Sequence, residues 1–189
     1  GRFDSTDYPT RRVLKGVLKG CGGRLFNQVR SRQGLAYSVY GAWSPSYDYD
    51  GMFIAGGQTQ TNSTVPFIQS VTNEIKKLRN ELVTEQELAN AKESILNSFV
   101  FNFQNPSQTI SRLMRYEYFD YPEDFIFKYQ DEVQDTTRED ILNVAQEYLQ
   151  PDQLVTLVVG NVKAMNPPLS NLEQEVSLVD VSIPQAAKS

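Results

Sequence analysis

Arg30-Ser31-Arg32-Gln33-Gly34-Leu35-Ala36-Tyr37 decides how this chain is read. Leu25, Phe26 and Val29 predict the apolar stripe of a helix that ends at Arg30. Gly34 supplies the positive φ that closes such a helix cheaply. Tyr37-Ser38-Val39-Tyr40 then opens an alternating strand. A helix end, a short turn and a returning strand can bring a guanidinium and a phenol to the same side of a cleft. Both side chains donate hydrogen bonds at neutral pH, which suits them to grip a substrate carbonyl or stabilise an oxyanion. Neither is a nucleophile or a good base, so the pair can hold a substrate but not attack it.

The rest of the composition sharpens that reading by exclusion. The 189 residues contain no histidine and one cysteine, Cys21. No Ser-His-Asp or Cys-His triad, no histidine-based zinc site and no thiolate cluster can be assembled from this chain. Asp48-Tyr49-Asp50-Gly51 is the nearest approach to a calcium loop and reads better as an Asp-Gly turn between strands. With 40% hydrophobic and 11% aromatic residues, the chain has the content of a globular domain, and it lacks an apolar run of transmembrane length.

Residues 1–33 hold eight Lys/Arg against two Asp, a net +6, while the remainder holds ten basic and 21 acidic side chains, a net −11. A basic end on an acidic body could bind an anionic peptide or nucleic acid. However, the positive residues are spread over both faces of a helix and have no interleaved aromatics.

Helices and strands alternate along the chain. Asp7-Tyr8-Pro9 predicts a helix to about Lys19, with Val13, Leu14, Val17 and Leu18 as its buried stripe. Strands at about 35–43 and 51–59 form an antiparallel hairpin. Val65, Ile68, Val71, Ile75 and Leu78 mark a helix over 64–78. Thr84-Glu85-Gln86-Glu87 reads as a capping box opening a helix to about Phe101, with Leu88, Ala91, Ile95 and Phe99 inside. Further helices are expected from Pro106, over 124–131 and, behind a second box at Thr136–Glu139, through Leu149. Leu154–Gly160 is a continuous apolar run and predicts a central strand. The expected architecture is α+β, a mostly antiparallel sheet with helices packed on one face. Residues 1–160 form one domain and 161–189 a partly ordered tail.

Gly22-Gly23-Arg24-Leu25-Phe26-Asn27-Gln28-Val29-Arg30 through Gly34-Leu35-Ala36-Tyr37-Ser38-Val39 closely resembles the pitrilysin, insulinase and processing-peptidase family of zinc peptidases. In that family one half of a clam-shell holds zinc on a His-x-x-Glu-His helix. The second half lacks zinc and carries an Arg and a Tyr seven positions apart, which Arg30 and Tyr37 match. The resemblance implies that this chain is the non-zinc, Arg/Tyr-bearing half-domain. It would hold no cofactor itself, with zinc in a partner half, whether in the same polypeptide or a separate subunit. Zinc and the Glu between the histidines would activate a water on a peptide or protein substrate. Tyr37 would donate to the oxyanion and Arg30 would bind the substrate backbone.

Family half-domains begin with a strand or two, and only Gly1–Thr6 precede the first helix here. The sheet is therefore expected to be short by those strands. The start without Met suggests a cut chain, from which an upstream signal could have been removed.

Tyr40 and Trp43 are the further candidate substrate contacts, with Tyr47 and Tyr49 beside them in the hairpin loop. Each residue also has a plainer reading: Arg30 as a helix-terminal cation favoured by the dipole, and the tyrosines and Trp43 as ordinary packing. Two other functions stay open at this level. One is a non-catalytic core subunit of the same fold; the other is a free-standing module binding anionic peptide or nucleic acid. The half-site reading carries no nucleic-acid partner and no membrane span.

Overall fold

Tyr8–Lys19 forms helix α1 because its apolar residues recur at 13, 14, 17 and 18; Val13, Leu14, Val17 and Leu18 are all buried. The computed structural model describes residues 5–19, 22–44, 46 and 49–181, with the backbone alone at 100 and 102. Gly20, Cys21, Tyr47, Asp48 and residues 182–189 of the expected tail lie outside the described residues.

Helix α1 is the hub. It packs on strand β1 (Ser38–Ser44) and on helices α3 (Glu85–Phe99), α5 (Phe125–Asp135) and α6 (Arg138–Tyr148). Helix α2 (Thr64–Asn80) closes the core against α6 and strand β2 (Met52–Gln58). The two strands pair antiparallel, with Val39 opposite Gly57, Gly41 opposite Ala55 and Trp43 opposite Phe53. These six residues form the sheet face that meets the helices. Helix side chains press close on this face: a Cβ at Gly41 would stand 3.2 Å from Leu18 and 3.4 Å from Leu25, and one at Gly57 would stand 2.9 Å from Phe67 Cζ. The opposite face, with Tyr40, Ile54 and Met52, is open. Helices therefore cover one face of an antiparallel hairpin, and the fold is α+β.

Several local signals work as written in the sequence. Thr84 and Glu87 form their capping box: the Thr84 N–H donates to Glu87 Oε2 (2.8 Å) and the Glu87 N–H to Thr84 Oγ1 (3.1 Å). Helix α4 (Pro106–Tyr118) starts on Asn105, whose side chain accepts the Gln108 N–H at 2.9 Å.

Other expectations are corrected. The second box is shifted by one residue, to Thr137 and Asp140, because Asp140 reaches both the Thr137 N–H and its hydroxyl. The helix expected over 124–131 runs on to Asp135. Phe26 is not part of a buried stripe; it faces solvent. The run from Leu154 to Gly160 forms no strand. Leu154 and Val158 pack inward, but Val155, Leu157 and Val159 are exposed. A strand needs a ladder neighbour, and among the described residues the sheet has only β1 and β2. Beyond that run, Met165 and Leu169 bury against Val65 at the start of α2.

Candidate functional site

Leu25–Arg32 is a π-helix, a wide i→i+5 winding that is rare at this length and often found at functional sites. Leu25 and Val29 bury its inner side, so Arg30 must face out. Gly34, at φ +62°, closes it. The closing amides of Gln33, Gly34 and Leu35 donate to the carbonyls of Gln28, Arg30 and Val29 at 3.2, 3.1 and 3.0 Å. The Thr59 hydroxyl donates to the Leu35 carbonyl and ties this turn to the end of β2. The Tyr37 N–H donates to Gln58 O at 2.8 Å, extending the strand ladder by one residue.

The turn thus carries Arg30 at one end and Tyr37 at the other, on backbone held by hydrogen bonds. Tyr37 is 81% exposed although its backbone is fixed. The Arg30 guanidinium sits over the Phe26 ring, 5.1 Å from its centroid. That attraction restrains the charge while using none of its N–H donors. Two outward donors on a held backbone can meet a carbonyl or an oxyanion presented by something docked from outside.

Tyr40 lies on the open face of the sheet, half-exposed, with its ring over Gly56; a Cβ there would stand 2.9 Å from the phenol oxygen. Trp43 does not join the candidate residues at the surface. It is 7% exposed, points to the helices and packs edge-on against Phe53 (5.7 Å) and Tyr148 (5.8 Å). Its odd register on β1 puts it inside, because Val39 and Gly41 share that face. Tyr49 is exposed in the loop.

Two arrangements escaped the sequence reading. Arg24, just ahead of the π-helix, grips Glu87 with both arms, Nε to Oε1 at 2.7 Å and Nη2 to Oε2 at 3.0 Å. The carboxylate that caps α3 therefore also anchors the helix bearing Arg30. Burial alone would push the Glu87 pKa up, but Arg24 and the Thr84 donors outweigh it and hold it below the ordinary value. The capping box was legible, but the partner 63 residues away was not.

The second arrangement is Arg11, 2% exposed in the core, which pairs with Asp7 at 3.3 Å and with the Ser5 hydroxyl. Its guanidinium lies 5.0 Å from the Tyr148 ring and 5.9 Å from Trp43. Burial, with the Asp7 hydrogen bond next, raises the Tyr148 pKa. Asp7, Arg11, Trp43 and Tyr148 thus form a framework inside the domain.

The chain has no histidine, and no group of three His, Cys, Asp or Glu able to hold a metal occurs among the described residues. No helix among those residues is long and apolar enough to cross a membrane.

Residues 2–95 match the family model of the peptidase M16 inactive domain. Over 101 residues, 53% of the chain, it is 34% identical to a protein of Bacillus subtilis named uncharacterized zinc protease YmxG, of which it covers 24%. Over 159 residues, 83% of the chain, it is 26% identical to a Helicobacter pylori protein named non-peptidase homolog YmxG, of which it covers 36%. The chain thus spans about a quarter to a third of these curated relatives. The crystal structure of a peptidase M16 inactive domain from Pseudomonas fluorescens has the same fold (TM-score 0.71, 23% identity, 80% of this chain and 36% of that one).

Proposed function

Because this chain belongs to the M16 peptidase family, as an inactive domain of it, we propose that it supplies the non-zinc half of a peptide-hydrolysing site. The family is one of zinc proteases, so the metal belongs to the other half; the residues here do not fit it. In this reading the partner is the zinc-bearing half-domain and the substrate is a peptide or protein. Tyr37 donates its phenolic hydrogen bond to the oxygen that becomes negative when the peptide carbonyl is attacked. Arg30 holds the substrate backbone beside it, and Tyr40 contacts the substrate from the sheet face. Trp43 has no place in the site, because it is enclosed by the core.

The observation that carries the reading is the contrast within Tyr37, whose backbone is pinned to Gln58 while its phenol stands in solvent. An exposed donor is worth little against water, but it becomes worth much once a second surface excludes water. Closure of the two halves would do this and would also gate turnover.

The test is peptide hydrolysis by the zinc half combined with this domain, comparing wild type with Tyr37→Phe. Loss of the donor is expected to lower kcat by about 10²–10³, with association of the halves unchanged. An unchanged rate would refute the role of Tyr37. It would favour a second reading, a non-catalytic subunit of the same fold, to which the likeness to a Helicobacter pylori protein named a non-peptidase homolog points.

A further inference from the structure

We propose that the cleft between α1 and α3 is a binding site for a compact phosphate-type oxyanion, held by Arg12, Lys15 and Lys19 from one helix and Ser94 from the other. The helices touch where Gly16 meets Ala91; a Cβ at Gly16 would stand 3.1 Å from the Ala91 Cβ. Beside that contact opens a pocket of about 170 Å³ lined by these four residues together with Gly16, Ile95 and Ser98.

Three cations and no carboxylate line this pocket. None of the ion pairs among the described residues uses Arg12, Lys15 or Lys19. The Arg12 guanidinium hydrogen-bonds Tyr129, but its Nε is buried without a hydrogen-bond partner. Like charges confined together cost free energy unless a counter-charge joins them. Lys15 bears the strain: its pKa is lowered, first by burial and then by repulsion from Arg12 and Lys19. Ser94 offers a hydroxyl, whereas Ser98 already donates to the Ile95 carbonyl at 2.9 Å. A volume of about 170 Å³ accommodates a compact multivalent anion. Arg11, adjacent in sequence, takes no part because it points into the core. The pocket has neither Arg30 nor Tyr37 in its lining, and the proposal does not depend on their role.

The test is titration of the 189-residue chain with inorganic phosphate at constant ionic strength, following the Lys15 ammonium by NMR. Saturable binding that raises the Lys15 pKa is expected. Lys15→Gln and the exposed Lys19→Gln should each weaken it about tenfold, and Ser94→Ala should weaken it less. Lys128→Gln, on α5, should leave it unchanged. Vesicles containing phosphatidic acid that bind more tightly than free phosphate would identify a lipid headgroup as the source; vesicles that bind no more tightly would identify the free ion. An equal response to chloride, or full binding by both lysine variants, would overturn the proposal. The exposed Lys19 and Ser94 variants keep the test valid should Lys15→Gln fail to fold.

Discussion

Replacing Glu87 by Gln separates the two tasks of that carboxylate. Glutamine at the third position of a helix still closes a capping box, so the start of α3 survives. What is lost is the charge facing Arg24, whose side chain is 11% exposed against 27% for Glu87. An exposed pair would contribute about 0–1 kcal/mol, and breaking a fully buried one costs about 3–5 kcal/mol. The geometry here lies between these limits, and Glu74 and Glu81 near Arg24 retain part of the compensation. The expected loss is about 2 kcal/mol for Glu87→Gln. It rises to about 3 kcal/mol for Glu87→Ala, which also removes the cap. Urea unfolding followed by circular dichroism reads both, and thermal unfolding should drop by roughly 4–8 °C for the glutamine variant.

The effect depends on pH with a definite sign. Glu87 in the folded chain titrates below the ordinary glutamate value of 4.5. Its contribution is therefore complete above that pH and lost as pH falls through the folded value. The gap between wild type and Glu87→Gln should be full at neutral pH and close in strong acid. A glutamine variant within about 0.5 kcal/mol of wild type at neutral pH would refute the reasoning, as would a gap that widens in acid.

Three more outcomes follow from the same geometry. Gly34→Ala should cost about 1 kcal/mol, all of it backbone strain, because nothing lies within 4 Å of the added Cβ while φ is +62°; a variant as stable as wild type would show that the turn relaxes freely. Leu14→Ala, in the middle of α1, should lose about 3 kcal/mol in urea unfolding, and a loss under about 1 kcal/mol would mean that the core collapses around the gap. Gly56→Ala should push the Tyr40 ring off the sheet, raising KM for peptides in the reconstituted site with little change in Tm; an unmoved KM would remove Tyr40 from the substrate contacts.

Much of the fold was legible because its signals are local. Val13, Leu14, Val17 and Leu18 sit one helical turn apart, so periodicity alone finds the buried side of α1. Thr84 and Glu87 complete a cap within four residues, and Gly34 marks a positive φ whatever surrounds it. The hairpin shows in its flanking β-rich runs. The turn between Arg30 and Tyr37 is short and its residue types dictate how it closes, whereas the choice of those two side chains came from the family's Arg/Tyr spacing that they match.

The failures have a common cause as well. Trp43 looks like a loop aromatic until the register with Phe53 and the approach of Tyr148 put it inside. The apolar run after Leu154 has strand character, but a strand exists only beside another strand. The sequence by itself determined the helices, the hairpin and the turn that carries Arg30 and Tyr37, since each is written in the residue types of a short stretch of chain. Tertiary structure alone decided which charges became framework and which became chemistry. Arg11 and Arg12 are neighbours about 100° apart on one helix. The first is enclosed by Asp7, Trp43 and Tyr148, the second opens on a pocket of cations. A charge is stabilised or strained by whatever surrounds it in space, and for these side chains most of those surroundings come from distant parts of the chain.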